Sequence, residues 1–300
     1  MNISYTINEN DNFENVKDVL KRYFQISDRL LLKLKTNNKI FLNNNIVNVR
    51  TSVKVNDIIS FSLDFEEDNS NIVATKMNLN IIYEDEYYLV IDKPANMAIH
   101  PSILHYENSL SNGIKYYFDS INLKKKIRPV NRLDRDTSGL VIFAKNEYVQ
   151  ECLIKQMNSH HFHKEYIGIV CGCFDNNFGT INLPIARKDN SIIERCIDFE
   201  KGDNSITHYE VIKSNSDYSV VKFTLETGRT HQIRVHCANL GHPIVGDTLY
   251  GTSSTFIDRQ ALHSYKISFI HPITHSRVEY TSDSYKIHFI NLLNIIEKNR

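Results

Sequence analysis

Arg128–Asn146 reads RPVNRLDRDTSGLVIFAKN. One carboxylate, Asp134, stands between Arg132 and Arg135, and Thr137-Ser138-Gly139 follows before the apolar run Leu140–Ala144. Opposite charge nearby favours the anion. The two hydroxyls and the glycine can build a turn that aims the side chain preceding it. The apolar run predicts a buried strand, and Asn146 predicts the cap of a helix with Val149, Cys152, Leu153 and Met157 on one side. A carboxylate held in a turn ahead of a buried strand suits a nucleophile. Taken alone, the cluster could equally be a solvated charge run at a strand entrance.

The same alternation of strand and helix extends outward. Ile81–Tyr83, a Glu-Asp-Glu turn and Tyr88–Ile91 predict a hairpin closed by Lys93-Pro94. Asn108–Phe118 predicts a helix capped by Asn108 or Ser109. Lys164–Val170 predicts a strand with Tyr166, Gly168 and Val170 on one face, Gly168 leaving room beside Tyr166. In Leu225–Gly251, LETGRTHQIRVHCANLGHPIVGDTLYG, Thr227-Gly228 ends a strand. A helix from about Thr230 then buries Ile233, Cys237 and Leu240 until Gly241 and Pro243 stop it, with Arg234 on another face.

At the other end, Val16–Phe24 and Arg29–Leu34 have helical apolar spacing, with Ser27 or Asp28 as a cap between them. Lys39–Val47 and Val53–Leu63 read as a hairpin and a further strand behind the turn Asn56-Asp57. Asp64–Asn80 is acidic and lacks periodicity, which predicts a linker. The expected organisation is α+β: a small module over 1–63, a linker over 64–80 and a larger domain over 81–300.

Composition narrows the function. With 300 residues and 41% apolar content the chain can bury a substantial core. No apolar run approaches the roughly 20 residues of a membrane span, and the first residues lack the pattern of a signal peptide, so a cytoplasmic protein is expected. The five cysteines are odd in number and scattered, unlike a disulfide framework or zinc knuckles. His160-His161-x-His163 lacks a second ligand group and reads as a polar loop, so no metal is expected. Net charge is zero, so any polyanion must be met by local charge. Lys21, Arg22, Arg29, Lys33, Lys35 and Lys39 oppose only Asp28, and Lys124-Lys125-Lys126 leads into the Asp134 segment. Glu66-Glu67-Asp68 falls in the linker, where it would disturb such a face least.

The Asp134 segment resembles the Arg-Leu-Asp-x-x-Thr-Ser-Gly signature of the RluA-type family of pseudouridine synthases, and further motifs recur in family order. These are the Lys-x-Tyr strand at Lys164–Tyr166, the Leu225–Gly251 run, and short matches at Lys93–Pro101, Leu262-His263 and His271-Pro272. The resemblance covers residues 81 to 290 and implies a central mixed, largely antiparallel sheet flanked by helices. It implies isomerisation of a flipped-out uridine in RNA, without redox cofactor or nucleotide. On this reading Asp134 is the catalytic carboxylate, Tyr166 lies against the base, Arg132 fills the place the base leaves, and Arg234 pairs with Asp134. Arg229 and His231 sit where phosphate or uracil oxygens would bind, Leu133 and Ile233 wall the pocket, and purely structural duties are expected of His231 and His236. Residues 13 to 63 resemble an S4 RNA-binding domain, with Asn38, Asn43 and Asn45 where glycines are usual. Asn96 replaces a usual glycine and Asn131 a usual histidine. The expected partner is RNA, ribosomal or transfer, with a bias to large-subunit ribosomal RNA, and the expected state is a monomer. The rival from another class is a non-catalytic RNA-binding ribosome-assembly factor with a retired synthase domain. A base-excising N-glycosidase would need an activated water as well.

Overall fold

The computed structural model describes residues 1–103 and 105–298. Its centre is a ten-stranded sheet in the order Phe178–Asn182, Ile206–Ser214, Tyr218–Leu225, His163–Cys171, Leu262–Ile270, Ser138–Ala144, Tyr88–Lys93, Ile81–Glu84. Arg277–Thr281 pairs with Leu262–Ile270, and Arg128–Pro129 with Ser138–Ala144. Every pairing in it is antiparallel except one: Leu262–Ile270 runs parallel to Ser138–Ala144 through His263↔Ser138 and Ser264↔Gly139. The expected mixed, largely antiparallel sheet is present, and its parallel seam lies directly behind the Asp134 turn.

Both faces of the sheet are covered, which is why Ser138–Ala144 is buried throughout. Val141 and Phe143 pack with Leu89 and Ile91 under Leu110, Ile114 and Phe118 of the helix Leu110–Ser120. Leu140, Ile142 and Ala144 pack the other way, under Val149 and Leu153 of Glu147–Asn158. Both helices start where side chains satisfy free amides. Asn146 Oδ1 accepts from Val149 N–H at 2.9 Å, and Ser109 and Asn112 close a reciprocal capping box. A third core joins His163–Cys171, Tyr218–Leu225, the helix Gln232–Asn239 and Phe289, Leu292 and Ile296 near the C-terminus.

The first 63 residues form a four-stranded sheet, in the order Asn2–Thr6, Ile58–Ser62, Ile40–Leu42, Asn45–Ile46, with two helical segments. The strand Asn2–Thr6 was not legible in the sequence; its alternation is too short and polar to stand out. Ser27 Oγ caps Asp28–Thr36 by accepting from Leu30 N–H at 3.2 Å. Asn38 and Asn43 adopt positive φ as expected, but the third such residue is Asn44, not Asn45, which belongs to a strand. Leu20, Leu30 and Phe61 share one buried cluster with Tyr148 and Val149, so this unit packs directly on Glu147–Asn158.

Asp64–Asn80 contains no helix or strand, yet it is pinned. Glu67 takes both guanidinium NH₂ groups of Arg128, at 2.6 and 2.7 Å, and Lys33 Nζ at 3.2 Å. The acidic cluster therefore does not lie idle: it pairs with Arg128 and with Lys33, a cation that the sequence pattern assigns to an RNA face. Leu240, expected on the buried side of its helix, is 41% exposed, because the helix ends at Asn239 and Gly241 turns the chain with φ +82°.

Candidate active site

Over the parallel seam lies an open cleft of about 1010 Å³. Asp134, Arg132, Tyr166, Arg229, Ile233 and Arg234 all line it, as do His231 and Leu133. Six residues named from three separate stretches of sequence thus meet in one place.

The turn that presents Asp134 closes through Thr137 N–H, which donates to the Asp134 carbonyl at 3.1 Å. Gly139 follows with φ +111°, and a Cβ there would come within 2.3 Å of the Ser264 carbonyl oxygen. The neighbouring strand can approach so closely only because this residue is glycine. Burial holds His263 down at about 4, so its ring is neutral. Its Nε2 donates to the Ser282 carbonyl at 3.1 Å, leaving Nδ1 to accept from Ser138 Oγ at 2.9 Å. Gln260 Nε2 donates to Thr137 Oγ1 at 3.3 Å. Lys93, fully buried, donates to the carbonyls of Pro94, Met97 and Arg135 at 2.8, 2.9 and 3.0 Å and ties the Pro94–Met97 loop to the residue after Asp134. Asn96 supports that loop with φ 55°, a conformation asparagine tolerates better than most residues.

The flanking arginines do not hold the carboxylate. Arg135 bonds Asp136 at 3.1 Å, and Arg132 is exposed in the cleft wall. The partner of Asp134 comes from 100 residues away: Arg234 Nη1 donates to Oδ2 at 3.1 Å. Arg234 is oriented in turn by Asp247, buried at 1% exposure, which accepts from Nε at 2.6 Å and Nη2 at 2.8 Å. This bidentate pair pushes the guanidinium further into its charged range despite burial. Among the described residues no group bonds Asp134 Oδ1, which stays available to the cleft.

Tyr166 is buried to 6% exposure, and burial followed by the charge of Asp134 pushes its phenol up, so it stays protonated at neutral pH. The space beside Gly168 is filled by Phe223, Leu262 and Ile244, which a Cβ would touch at 3.0 to 3.4 Å; it seats the sheet packing and leaves no void. His231 stands at the N-cap position of its helix with φ 59°. Its Nδ1 lies 2.8 Å from Tyr250 Oη and its Nε2 3.8 Å from Asp134 Oδ2. Burial pushes this imidazole down, against the opposing pull of Asp134. The expectation of a purely structural duty fits His236, bonded to Thr207 and the Leu183 carbonyl. His231 lines the cleft at the helix start, where the resemblance placed it beside Arg229.

An RNA pseudouridylate synthase family model matches residues 87–239, the segment that carries Arg132, Asp134, Tyr166, Arg229, His231, Ile233 and Arg234. The chain belongs to that family. The synthase is 38% identical over 256 residues to Bacillus subtilis YjbO, described as an uncharacterized RNA pseudouridine synthase, across 85% of this chain and 90% of that one. It is 35% identical over 267 residues to ribosomal large subunit pseudouridine synthase D of Blochmanniella floridana, covering 82% and 83% of the two chains. Among solved structures, human RNA pseudouridylate synthase domain containing 1 superposes with a TM-score of 0.57 at 27% identity, over 69% of this chain and 84% of that one. The synthase is therefore an isomerase acting on RNA, of the RluA type.

Sequence reasoning singled out the stretches that contain Asp247, Tyr250, Lys93 and Lys164 but gave these four residues no role in the site. Asp247 had a readable signal. It follows Gly246, whose φ is +77° and where a Cβ would come within 2.2 Å of the Arg259 carbonyl oxygen, so the Gly-Asp pair marks a tight approach. Asn131 uses both of its amide functions on the strand behind it, donating to Leu140 O at 3.0 Å and accepting from Ile142 N–H at 2.9 Å. It stitches the turn to Ser138–Ala144.

Proposed function

We propose that the synthase converts uridine to pseudouridine in large-subunit ribosomal RNA, with the Asp134 carboxylate acting at C1′ of a nucleotide flipped into the cleft. The observation that carries this reading is the single-sided hold on Asp134: Arg234 fixes one oxygen while the other is unclaimed beside Tyr166. A carboxylate so placed can stabilise positive charge at C1′, attack it, or take a C2′ proton. The base then turns and rejoins through C5, and the C5 proton leaves. Tyr166 supplies a ring for the uracil to stack on, Arg132 stands in the position vacated in the RNA, and Ile233 and Leu133 keep the base from water. Arg229 takes a phosphate or uracil oxygen. Flipping costs a few kcal/mol, which contacts to the flanking RNA offset.

The large-subunit assignment is supported by the names of similar proteins from Blochmanniella floridana and Zymomonas mobilis, both ribosomal large subunit pseudouridine synthase D. We assign residues 1–63 to RNA binding as an S4-like module, 64–80 to a connecting segment and 81–300 to catalysis, in a cytoplasmic monomer. Intact Asp134, Tyr166 and Arg234 argue against a retired enzyme.

The test is tritium release from C5-labelled uridine in RNA and ribosomal particles from a strain lacking the protein, with wild type beside Asp134→Asn. Release by the wild type alone supports the assignment. Equal RNA binding by both with no release by either overturns it.

A further inference from the structure

Two lysines differ in one respect: Lys93, fully buried beside the Asp134 turn, and Lys164, half-buried in the wall of the cleft. Lys93 Nζ meets three carbonyl oxygens at 3.0 Å or less, which is how a buried ammonium is normally satisfied. Lys164, on the cleft-facing side of His163–Cys171, has no such set: among the described residues no carboxylate or carbonyl accepts from its Nζ. Burial alone pushes this ammonium below its usual range, with no neighbouring carboxylate to restore it. Glu226, which also lines the cleft, lies 2.6 Å from His208 Nε2, and Asp203 lies 3.6 Å from Arg229. Arg229, on the same turn, also donates to the Asn204 carbonyl at 3.2 Å. The ammonium rests against Gly228, where a Cβ would stand 3.1 Å from Nζ. Lys164 and Tyr166 are two residues apart on one strand and both line the cleft, so their side chains leave the same face about 7 Å apart.

We propose that Lys164 holds a backbone phosphate of the substrate RNA beside the nucleotide whose base lies on Tyr166. The inference rests on the reading of Tyr166 as the stacking surface. One strand repeat leads from the base to its sugar–phosphate, and a phosphate is the anion that would complete an ammonium the protein leaves without an acceptor. Gly228 keeps the approach to Nζ open.

The experiment uses short RNA substrates, each with one neutral methylphosphonate, and compares wild type with Lys164→Gln. Lys164→Gln should raise KM about tenfold, the loss falling mainly on KM, and flatten the slope of log affinity against log salt by about 0.7, the share of one single-strand phosphate. One methylphosphonate should cost the wild type about tenfold and cost Lys164→Gln nothing further. Gly228→Ala, on an exposed turn, should weaken recognition of that same phosphate and serves if Lys164→Gln does not fold. Additive penalties at every phosphate, or an unchanged salt slope, would overturn the proposal. A wild type that binds with the single-phosphate signature but forms no pseudouridine would instead retain the contact and sink the catalytic reading.

Discussion

Two carboxylate–arginine pairs in this synthase are built from the same groups and arranged in opposite ways. Glu67 uses both oxygens: Arg128 grips it bidentately at 2.6 and 2.7 Å, and Lys33 and the Lys126 amide add 3.2 and 3.3 Å contacts. Its carboxyl is held down at about 2, the pull of Arg128 and Lys33 overcoming a large burial cost. Asp134 shares its arginine with Asp247, receives one nitrogen at 3.1 Å, and keeps one oxygen for the cleft. A carboxylate whose lone pairs are all spent holds a segment in place. One fixed through a single oxygen is positioned and still able to react.

The contrast can be broken most directly at the open end. Asp134→Asn should lower pseudouridine formation by roughly a thousandfold or more while leaving the urea midpoint near that of wild type. A variant that instead loses stability and retains turnover would make Asp134 another Glu67. Asp247→Asn should show both faults, because it leaves a buried guanidinium half-paired and lets Arg234 drift. It should cost about 3 kcal/mol in denaturant unfolding, with kcat reduced in the folded fraction.

The closed end should behave in the reverse way. Glu67→Gln is expected to cost about 1–3 kcal/mol with activity per folded molecule retained, read as thermal shift beside tritium release. The pH dependence has a definite sign. The Glu67 carboxyl falls from 4.5 to about 2 on folding, so its contribution is complete above pH 4.5 and disappears as pH falls towards 2. The wild type should lose stability across that window more steeply than Glu67→Gln, and parallel acid titrations of the two would contradict the assignment. The smallest effect sharpens the line between holding and reacting: Asn131→Ala removes two buried hydrogen bonds to Leu140 and Ile142. It should cost about 1–2 kcal/mol and leave the pH profile of turnover unchanged.

Local signals carried much of the architecture. Ser27, Ser109 and Asn146 cap the helices they were expected to cap, since a cap depends on residues three positions apart. The hairpin Ile81–Lys93 and the buried strand after the Asp134 turn follow from turn residues and apolar runs. Prediction erred where the partner lies far along the chain: Asn2–Thr6 gains its definition from Ile58–Ser62, and Leu240 left the core because of where the helix stops.

By itself, then, the amino-acid order determined the turn that carries Asp134, the strand behind it, the caps, and the residue types available to the cleft. These rest on interactions within a few positions of one another. Only the tertiary structure decided which charges meet. Arg132 and Arg135 adjoin Asp134 in sequence, yet Arg234 is the arginine that holds it. Lys33 leaves the expected RNA face to meet Glu67 of the connecting segment, which Arg128 also grips. The reason is geometric: the parallel pairing at Gly139 and Ser264 brings distant strands together, and strong pairing between charges requires separations of a few ångströms that sequence spacing does not encode.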